Sequence, residues 1–450
     1  MRPLAPLPSD LPSVESAARL PRGFEALGTT AGIKGSGALD LALVLVQDGP
    51  AAVAATFTTS RLPAASVRMN KEHLAATAPE GKGRYGWVDA MMTTSGCANA
   101  ATGDAGLADQ RSLAAALATH AGTEPERVLA MSTGLIGTRL PVERVANAMT
   151  AVTGSFRSDD AAFADVAEAL RTTDSRAKAA AVRVSLPAAG GGTATVTVSG
   201  VAKGVGMIHP NMATMLSYVL TDASVQPQTL SRLLRPIVAR TWDQTSVDGD
   251  QSTNDTVLLV ASGAAGAAAL EDGPEALAAF GRAVEAVARS LSRQQAADGE
   301  GAATLITCGV SGGADDADAR AAARAVVSSD LLKAAVHGAD PNWGRIAMAV
   351  GNAVVAGAEV LEAAGLEPDV ARARAGQPVA LDPDRLQIDI EATPVFAGVP
   401  LEYDEAALSA RMRRGEVTIR VDLGRGQGTG EAFGCDLTCE YVIENSEYST

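Results

Sequence analysis

The stretch AVRVSLPAAGGGTATVTVSGVAKGVGMIHPNMATML, residues 181–216, decides the fold that the sequence predicts. Polar and apolar residues alternate on both sides of PAAGGG, a pattern typical of a β-hairpin. The second strand leads directly into a glycine-rich segment that is mostly small or apolar but keeps Lys203, Asn211 and Thr214. The hairpin therefore delivers the chain into a segment whose amine, amide and hydroxyl groups need an explanation.

Patterns outside this stretch predict an α+β fold. Strands are predicted for LDLALVLV, AAVAATFTT, RVLAM, TMLSYVLT and GAATLITC, and a tight turn for STGLIG. Helices are predicted for Ala105–Gly122, TLSRLLRPIVART, Pro274–Ala296 and ADARAAARAVVSSDLLKAAV. RLQIDIEA, EVTIRVDL and CDLTCEYVIE predict strands in a small C-terminal α+β unit. Hairpins mixed with helices favour α+β packing over a doubly wound parallel sheet.

The composition is that of an ordinary globular chain. The 450 residues are 47% hydrophobic and 20% charged, with a net charge of −15. That charge argues against nucleic acid or an anionic membrane as the main partner. No run reaches the ~18 apolar residues of a membrane span, and the N-terminus has too many prolines for a signal peptide. The Pro- and Ser-rich residues 1–20 predict a flexible N-terminal extension.

The cysteines and histidines favour a cytoplasmic protein. Four scattered cysteines form no CxxC pair and are expected to be reduced thiols. Only four histidines are present, too few for a His-rich metal site. We therefore expect a cytoplasmic location, no metal and no cofactor.

SVDGDQSTNDT (Ser246–Thr256) crowds three aspartates together and is a weak candidate for a cation site. A calcium loop that began at Asp248 would need glycine and glutamate where Thr253 and Leu259 stand. A solvated or capping loop is therefore expected.

Two further segments are weak candidates for a nucleophile. GVSGG (Gly309–Gly313) matches G-x-S-x-G, but His337 precedes Asp340, the reverse of the usual order, so we favour a glycine turn. Cys97 has no histidine near it in sequence and is expected to be a small buried residue.

Thr214 becomes a strong nucleophile if the peptide bond before it is cut. A free α-amino group on the same residue titrates at about 8 and can accept the hydroxyl proton. The small Ala213 and the flanking glycines let the backbone adopt strained geometry. In that geometry the Thr214 hydroxyl can attack the carbonyl of Ala213 and form an ester. Water then hydrolyses the ester and leaves Thr214 with a free α-amine. The alternative, which spacing alone favours, is a threonine in a buried strand.

Besides GVAKGVGMIHPNMATML, seven further segments stand out along nearly the whole chain: PRGFEALGTTAGIKGSGALDLALV, FTTSRLPAASV, STGLIG, DGDQSTNDT, DGEGAATLI, DPNWGRIAMAVG and ENSEYST. In the same order, these segments resemble the ornithine acetyltransferase family, also called the bifunctional glutamate N-acetyltransferase family. GVAKGVGMIHPNMATML closely resembles the signature of that family. The resemblance implies an αββα-type layered sandwich, N-terminal-nucleophile-like and shared with self-processing aminopeptidases. A smaller C-terminal α+β unit is expected beside it.

The resemblance also implies roles for individual residues. Thr214 is the nucleophile and, through its freed amine, the base, and Ala213–Thr214 is the cleavage point. Thr133 and Gly134 form the oxyanion hole, a role that suits donors fixed by a glycine turn. Lys203 suits the substrate's α-carboxylate, and Glu300 suits an amine. The implied substrate-binding residues are Thr173, Lys203, Thr214, Glu300, Asn445 and Thr450.

The sequence departs from the family pattern at a few positions. Cys97 stands where the family usually has Asn, Gln251 replaces a usual Thr, and Ala303-Thr304 stands where Lys is often found. RTTDS lacks the usual Pro-Lys that follows, so Thr172 is an alternative to Thr173 as the substrate contact. These departures bear on substrate range and remove no implied catalytic group.

The implied reaction transfers acetyl from N2-acetyl-L-ornithine to L-glutamate through an acetyl-threonine, in arginine biosynthesis. Self-cleavage divides the chain into an alpha chain, 21–213, and a beta chain, 214–450, in which 214–330 completes the sandwich core and 331–450 forms the smaller unit. The resemblance implies an α2β2 assembly and leaves open whether acetyl-CoA is also a donor. The alternatives are a self-processing aminopeptidase of the same fold and a non-catalytic binding protein on this scaffold.

Overall fold

The computed structural model describes residues 10–208 and 215–447, which form sixteen strands and thirteen α-helices. The strands are β1 (Phe24–Thr29), β2 (Leu41–Val46), β3 (Ala51–Phe57), β4 (Tyr85–Val88), β5 (Ala90–Cys97), β6 (Val128–Leu135), β7 (Lys178–Pro187), β8 (Thr193–Lys203), β9 (Leu216–Thr221), β10 (Thr245–Ser246), β11 (Thr256–Ala261), β12 (Leu305–Gly313), β13 (Gln387–Ile390), β14 (Thr393–Ala397), β15 (Glu416–Asp422) and β16 (Gly428–Cys435). The helices are α1 (Ala65–Thr77), α2 (Gly103–Ala121), α3 (Val142–Ala151), α4 (Asp160–Leu170), α5 (Pro227–Arg240), α6 (Pro274–Ala297), α7 (Asp316–Val327), α8 (Asp330–Gly338), α9 (Trp343–Gly351), α10 (Ala358–Ala363), α11 (Pro368–Arg374), α12 (Glu405–Met412) and α13 (Cys439–Glu447).

Two sheets and the helices on their outer faces form an αββα sandwich. The first sheet has the order β1-β2-β5-β6, and the second has the order β4-β3-β11-β9-β8-β7. Leu113 of α2 and Val145 of α3 pack on the outer face of the first sheet. Leu230 of α5 and Leu291 of α6 pack on the outer face of the second. A third core, which includes Tyr218, lies between the sheets. The predicted sandwich is therefore confirmed.

The two-residue period of β2 explains how one strand serves two layers. Leu41 and Leu43 belong to the core beneath α2, whereas Ala42 and Val44 belong to the core between the sheets. Successive side chains of a strand point to opposite faces. A strand that is apolar on both faces, as LALVLV is, therefore suits an inner layer.

The strands that border the glycine-rich segment lie in the middle of the second sheet. β7 pairs antiparallel with β8, which confirms the predicted hairpin. β8 pairs antiparallel with β9, with Lys203 opposite Leu216. β9 pairs parallel with β11, with Leu216 opposite Thr256. The end of β8, the start of β9 and the start of β11 therefore lie at the same end of the sheet.

The predicted C-terminal α+β unit is built on a third sheet, with the order β10-β16-β12-β15-β13-β14. Its core includes Ile306 of β12, Val326 of α7, Ile346 of α9 and Ile419 of β15. β12 and α7, which precede residue 331, thus pack in the core of this unit. β10, which follows α5 in the sandwich, pairs with β16 of the third sheet and so joins the two cores.

The prediction of a tight turn at STGLIG is wrong. Ser132–Leu135 continue β6, because they pair with the end of β5, and the turn follows at Ile136–Gly137. Tertiary pairing with a neighbouring strand overrides the local glycine signal here.

One other local prediction is also wrong, and one predicted helical segment is interrupted. CDLTCEYVIE is not one strand, because β16 ends at Cys435 and the hydroxyl of Thr438 accepts the N–H of Tyr441 at 3.2 Å near the start of α13. The helix predicted over ADARAAARAVVSSDLLKAAV is divided into α7 and α8, because the Ser329 side chain accepts the N–H of Leu332 and caps α8.

The described part of the predicted N-terminal extension lies against the sandwich. Glu15 forms an antiparallel bridge with Ala181 of β7, with both backbone hydrogen bonds at 2.9 Å. The N–H of Arg19 donates to Oγ of Ser199 at 3.0 Å. β7 is an edge strand, so this bridge covers part of the open edge of the second sheet.

The hydroxyl of Tyr218 in β9 joins the two sheets, and its loss should destabilise the sandwich. It lies 2.7 Å from Oγ1 of Thr93 in β5, and both residues are fully buried. Tyr218→Phe leaves Thr93 without this partner, so we expect the free energy of unfolding to fall by about 1–3 kcal/mol. Urea unfolding followed by circular dichroism measures the change. Tyr85→Phe, whose hydroxyl contacts the surface residue Glu80, is the matched control, and an equal loss in both variants would contradict the prediction.

Candidate active site

One cleft brings together most of the predicted site residues. Its lining includes Thr133, Gly134, Thr173, Lys203, Glu300 and Asn445. The predicted residues Ala213, Thr214 and Thr450 lie outside the described residues. Met207 also lines the cleft. The N–H of Met215 donates to Asp255, the residue directly before β11. One described end of the glycine-rich segment therefore lines the cleft, and the other is bonded to Asp255, which follows the cleft residue Asn254.

Thr133 and Gly134 reach the cleft at the end of β6. Gly134 has a φ of +128°, which only glycine adopts without strain. A Cβ atom on Gly134 would also overlap the backbone of Gly96 in β5. The pairing of β5 with β6 is irregular at Gly96 and Cys97, as in a β-bulge that redirects a strand end. This backbone shape suits the oxyanion-hole role, which remains a prediction.

Lys203 places a buried amine beside Thr133. Its side chain is almost fully buried, and Nζ donates to Oγ1 of Thr133 at 3.2 Å. The carbonyl of Lys203 accepts Nε2 of Gln295 at 2.8 Å, which fixes the end of β8. Burial lowers the pKa of Lys203, and the carboxylate of Asp174 opposes that change. A positive charge at this position favours negative charge that develops beside Thr133.

Glu300 contacts two of the other predicted substrate-binding residues. Its Oε1 accepts the hydroxyl of Thr173 at 2.8 Å, and its Oε2 accepts Nδ2 of Asn445 at 3.0 Å. A Cβ atom on Gly206 would overlap this carboxylate, so the carboxylate in its present position lies directly against the Gly206 backbone. Thr172 also lines the cleft, but the hydroxyl that reaches Glu300 is that of Thr173.

A buried ion cluster fixes the segments that carry Thr173, Lys203 and Glu300. Nζ of Lys178 lies 2.6 Å from Asp174 and 2.7 Å from Asp298, and the Lys178 side chain has no exposed surface. Oδ1 of Asp174 also accepts the N–H of Gly204 at 2.8 Å. Asp174 follows Thr173, Gly204 follows Lys203, and Asp298 is two residues from Glu300. The cluster therefore fixes three parts of the cleft at once.

The charge state of Asp174 follows from these neighbours. Burial alone would raise its pKa, but Lys178, Lys203 and the N–H of Gly204 outweigh burial and hold the pKa at about 2. Asp174 is therefore ionised at any pH at which the protein is expected to work.

Asn254 is a site residue that the sequence analysis did not single out. Its Nδ2 donates to the carbonyls of Ala98 and Ser132, both at 2.7 Å. It thereby ties the chain after β5 to the residue before Thr133. The only signal was its place in the motif DGDQSTNDT, part of the aspartate-rich segment Ser246–Thr256 (hereafter the acidic loop), for which a solvated or capping loop was expected.

The acidic loop itself is a capping loop, as predicted. Oδ1 of Asp248 accepts the N–H of Ile208 at 2.9 Å and the N–H of Asp250 at 3.1 Å. These bonds hold the described end of the glycine-rich segment. Among the described residues, no group of three or more His, Cys, Asp or Glu side chains could hold a metal ion.

The prediction of a glycine turn at GVSGG is wrong, because Gly309–Gly313 belong to β12. The G-x-S-x-G alternative gains no support either. The hydroxyl of Ser311 donates to Asp422 at 3.2 Å, whereas His337 lies 3.1 Å from Asp436. Ser311 and His337 therefore contact two different aspartates, Asp422 and Asp436.

The positions that depart from the family pattern do not line the cleft in the described part of the chain. Cys97 is buried, as expected, and Gln251 is exposed. The N–H groups of Ala303 and Thr304 both donate to Asp436 at 2.9 Å. None of these departures therefore changes a residue that lines the described part of the cleft. No helix of residues 10–208 or 215–447 has the length and apolarity needed to span a membrane.

Comparison with known sequences decides the family. The sequence profile described as the ArgJ family matches residues 25–450. The arginine biosynthesis bifunctional protein ArgJ of Thermus thermophilus is 42% identical over 434 residues, which cover 96% of this chain and 100% of that protein. The protein of the same description from Deinococcus radiodurans is 42% identical over 430 residues, which cover 96% and 97%. The chain belongs to the ArgJ family.

ArgJ family members are ornithine acetyltransferases and glutamate N-acetyltransferases, so this chain is an N-acyltransferase of arginine biosynthesis. The family resemblance inferred from the motifs is thereby confirmed. Similar solved structures include ArgJ from Bacillus halodurans, with 36% identity, a TM-score of 0.45 and coverage of 52% of this chain and 99% of that chain. Another is ornithine acetyltransferase from Mycobacterium tuberculosis complexed with ornithine, with 34% identity, a TM-score of 0.38 and coverage of 44% and 98%.

Removing the amine at the centre of the ion cluster should be costly. Lys178→Met leaves the buried carboxylates of Asp174 and Asp298 without their shared cation, so we expect a loss of about 3–5 kcal/mol in the free energy of unfolding. Urea unfolding measures the loss. Arg111→Met, which breaks a half-exposed ion pair with Glu72, is the control and should cost at most about 1 kcal/mol. Similar losses in both variants would show that the cluster does not stabilise this region.

Proposed function

We propose that this ArgJ family chain cuts itself between Ala213 and Thr214 and then transfers acetyl from N2-acetyl-L-ornithine to L-glutamate through an acetyl-threonine. The observation that carries the proposal is the cleft. Residues predicted from motifs far apart in sequence, in β6, after α4, at the end of β8, after α6 and in α13, line one cavity. Gly206 and Met207, before residues 209–214, line that cavity, and Met215, after them, is bonded to Asp255, which follows the lining residue Asn254.

The first half-reaction forms the acetyl-enzyme. The Thr214 hydroxyl attacks the acetyl carbonyl carbon while its own α-amine takes the hydroxyl proton. Negative charge develops on the acetyl oxygen, beside Thr133, Gly134 and the ammonium of Lys203. The C–N bond then breaks, the ornithine nitrogen receives the proton, and the acetyl group remains on Thr214 as an ester.

The second half-reaction returns Thr214 to its starting state. The neutral amine of glutamate attacks the ester carbonyl, and the Thr214 amine accepts the proton that this nitrogen loses. The C–O bond breaks, the Thr214 oxygen recovers its proton, and N-acetylglutamate leaves. Because one nucleophile serves both substrates in turn, ping-pong kinetics follow.

The charges of the cleft support a division of roles between the substrate's ends. Lys203 provides positive charge for a carboxylate, and Glu300 provides negative charge for the side-chain ammonium of ornithine. Thr173 and Asn445, which both bond to Glu300, are neutral and carry hydrogen-bond donors. They suit either substrate, including the anionic side chain of glutamate.

The proposal extends to assembly and location. The cut alpha and beta chains are expected to form an α2β2 assembly in the cytoplasm, without a cofactor or metal. Acetyl-CoA could serve as a second donor, because the same threonine can be acetylated by a thioester. An assay with acetyl-CoA and glutamate alone decides this point.

Thr214→Ala should give an uncut and inactive chain. Intact mass is measured under denaturing conditions. The wild-type protein should give two pieces of 213 and 237 residues, about 22 and 24 kDa of the 45.6 kDa total, whereas the variant should give one uncut chain. The larger piece should begin at Thr214. Thr195→Ala, on the exposed part of the same hairpin, is the matched control and should cut normally. Cutting in the Thr214→Ala chain would sink the mechanism.

Glu300→Gln should weaken acetylornithine binding selectively. It removes the negative charge opposite the ornithine ammonium but keeps groups that can bond to Thr173 and Asn445. A lost charged hydrogen bond of about 1.5–3 kcal/mol corresponds to a rise of roughly tenfold or more in KM for N-acetylornithine. KM for glutamate should not rise. Steady-state kinetics on the cut protein test this, with Glu285→Gln, which lies outside the cleft in an ion pair with Arg240, as control. Equal rises for both substrates would contradict the proposed role.

A further inference from the structure

The carboxyl group of Asp255 is an unexplained buried group at the start of β11. Asp255 has no exposed surface. Its Oδ1 accepts the N–H of Met215 at 2.9 Å. Its Oδ2 is buried and has no hydrogen-bond partner among the described residues. A buried polar atom without a partner costs free energy, so its presence calls for an explanation.

Asp255 and Thr256 hold Met215 from both sides. The carboxyl of Asp255 accepts the Met215 N–H, and the N–H of Thr256 donates to the Met215 carbonyl at 3.1 Å. The parallel pairing of β9 with β11 begins one residue later, with Leu216 opposite Thr256. The N–H that Asp255 holds belongs to the peptide group whose carbonyl is that of residue 214.

Burial favours the uncharged form of Asp255. Burial is the largest influence and raises the pKa of Asp255 well above its usual value, and the carboxylate of Asp243 raises it further. Lys203 and the hydrogen bond from Met215 act in the opposite direction without overcoming burial. Since Oδ1 is the acceptor for Met215, the carboxyl proton belongs on Oδ2.

We propose that Asp255 is a positioning residue for the nucleophile, because its carboxyl group holds the peptide N–H that directly follows residue 214. The inference rests on the proposed function, in which Thr214 is that nucleophile. Asp255 acts in its uncharged form. A carboxylate bonded to the peptide group that joins Thr214 to Met215 would favour the ammonium form of the Thr214 amine, which cannot accept the hydroxyl proton. A neutral carboxyl provides the acceptor without that effect.

Two substitutions at Asp255 separate its acceptor from its charge. Asp255→Asn keeps an oxygen acceptor and cannot ionise, so self-cleavage and acetyl transfer should stay within about threefold of wild type. Asp255→Leu has a similar size but no acceptor, and misplacement of the nucleophile should slow cleavage by about a hundredfold. Cleavage is followed by intact mass, and folding by circular dichroism.

Asp222 provides the matched control for a purely structural effect. It is buried at the far end of β9 and accepts the N–H of Thr197 at 2.7 Å, and burial raises its pKa too. Asp222→Leu should lower stability but leave cleavage of the folded chain unchanged. Equal slowing in the Asp222→Leu and Asp255→Leu chains would overturn the proposal, as would normal cleavage in Asp255→Leu.

The pH profile tests the charge state. The acidic limb of the pH profile of kcat reports the ionisation of the Thr214 amine. In the Asp255→Asn variant this limb should stay at the wild-type pH. A downward move of about one pH unit would show that wild-type Asp255 is an anion and would overturn the proposal. Failure of the folded Asp255→Asn chain to cut would also overturn it. An uncut wild-type chain would instead overturn the proposed function, and this inference with it.

Discussion

The attraction between Lys178 and its two carboxylates, Asp174 and Asp298, is the interaction on which the cleft depends. Each charge would be costly to bury alone, so the three groups are stable only when their segments are in place together. The chain before β7, the end of β8 and the end of α6 are thereby constrained at one point. The cleft obtains a fixed geometry from a contact that does not itself line the cavity. When each segment of the chain contributes only one residue to a substrate site, a contact that holds the segments together, such as this ion cluster, is needed to fix the geometry of the site.

A second constraint is the close approach of two backbones. Gly96 and Gly134 lie opposite each other where β5 and β6 end, and a Cβ atom on Gly134 would overlap the backbone of Gly96. Asn254 holds the same region through the carbonyls of Ala98 and Ser132. Thr133 is therefore fixed by the pairing of β5 with β6, by the close approach of Gly96 and Gly134, and by the side-chain amide of Asn254. Electrostatic stabilisation requires donors that are already oriented, and these contacts provide that orientation.

Much of the fold follows from local patterns. The β7–β8 hairpin and the helices α2, α5 and α6 could be predicted because their turns and apolar periods lie within single segments. STGLIG and CDLTCEYVIE were misinterpreted because pairing with β5 and the Thr438 hydroxyl decide those regions. For the site, Thr133, Lys203 and Glu300 followed from a family resemblance, and the cleft brings them together. Lys178, Asp174, Asn254 and Asp255 could not be predicted, because each gains its meaning from partners such as Asp298, Gly204, Ser132 and Met215, which only the folded chain brings near.

The order of strands in the second sheet has a consequence for the two products of a cut before residue 214. β4 and β3 stand on one side, β8 and β7 on the other, and all four precede the cut, whereas the central pair, β11 and β9, follows it. Neither polypeptide holds the complete second sheet. Separating the two polypeptides would break the pairing of β3 with β11 and that of β9 with β8. The pairs β4–β3 and β8–β7 would remain on one piece, and the parallel pair β11–β9 would remain on the other. The cut chain is thus two molecules by covalent structure but one unit of folding, whose halves would have to be made together.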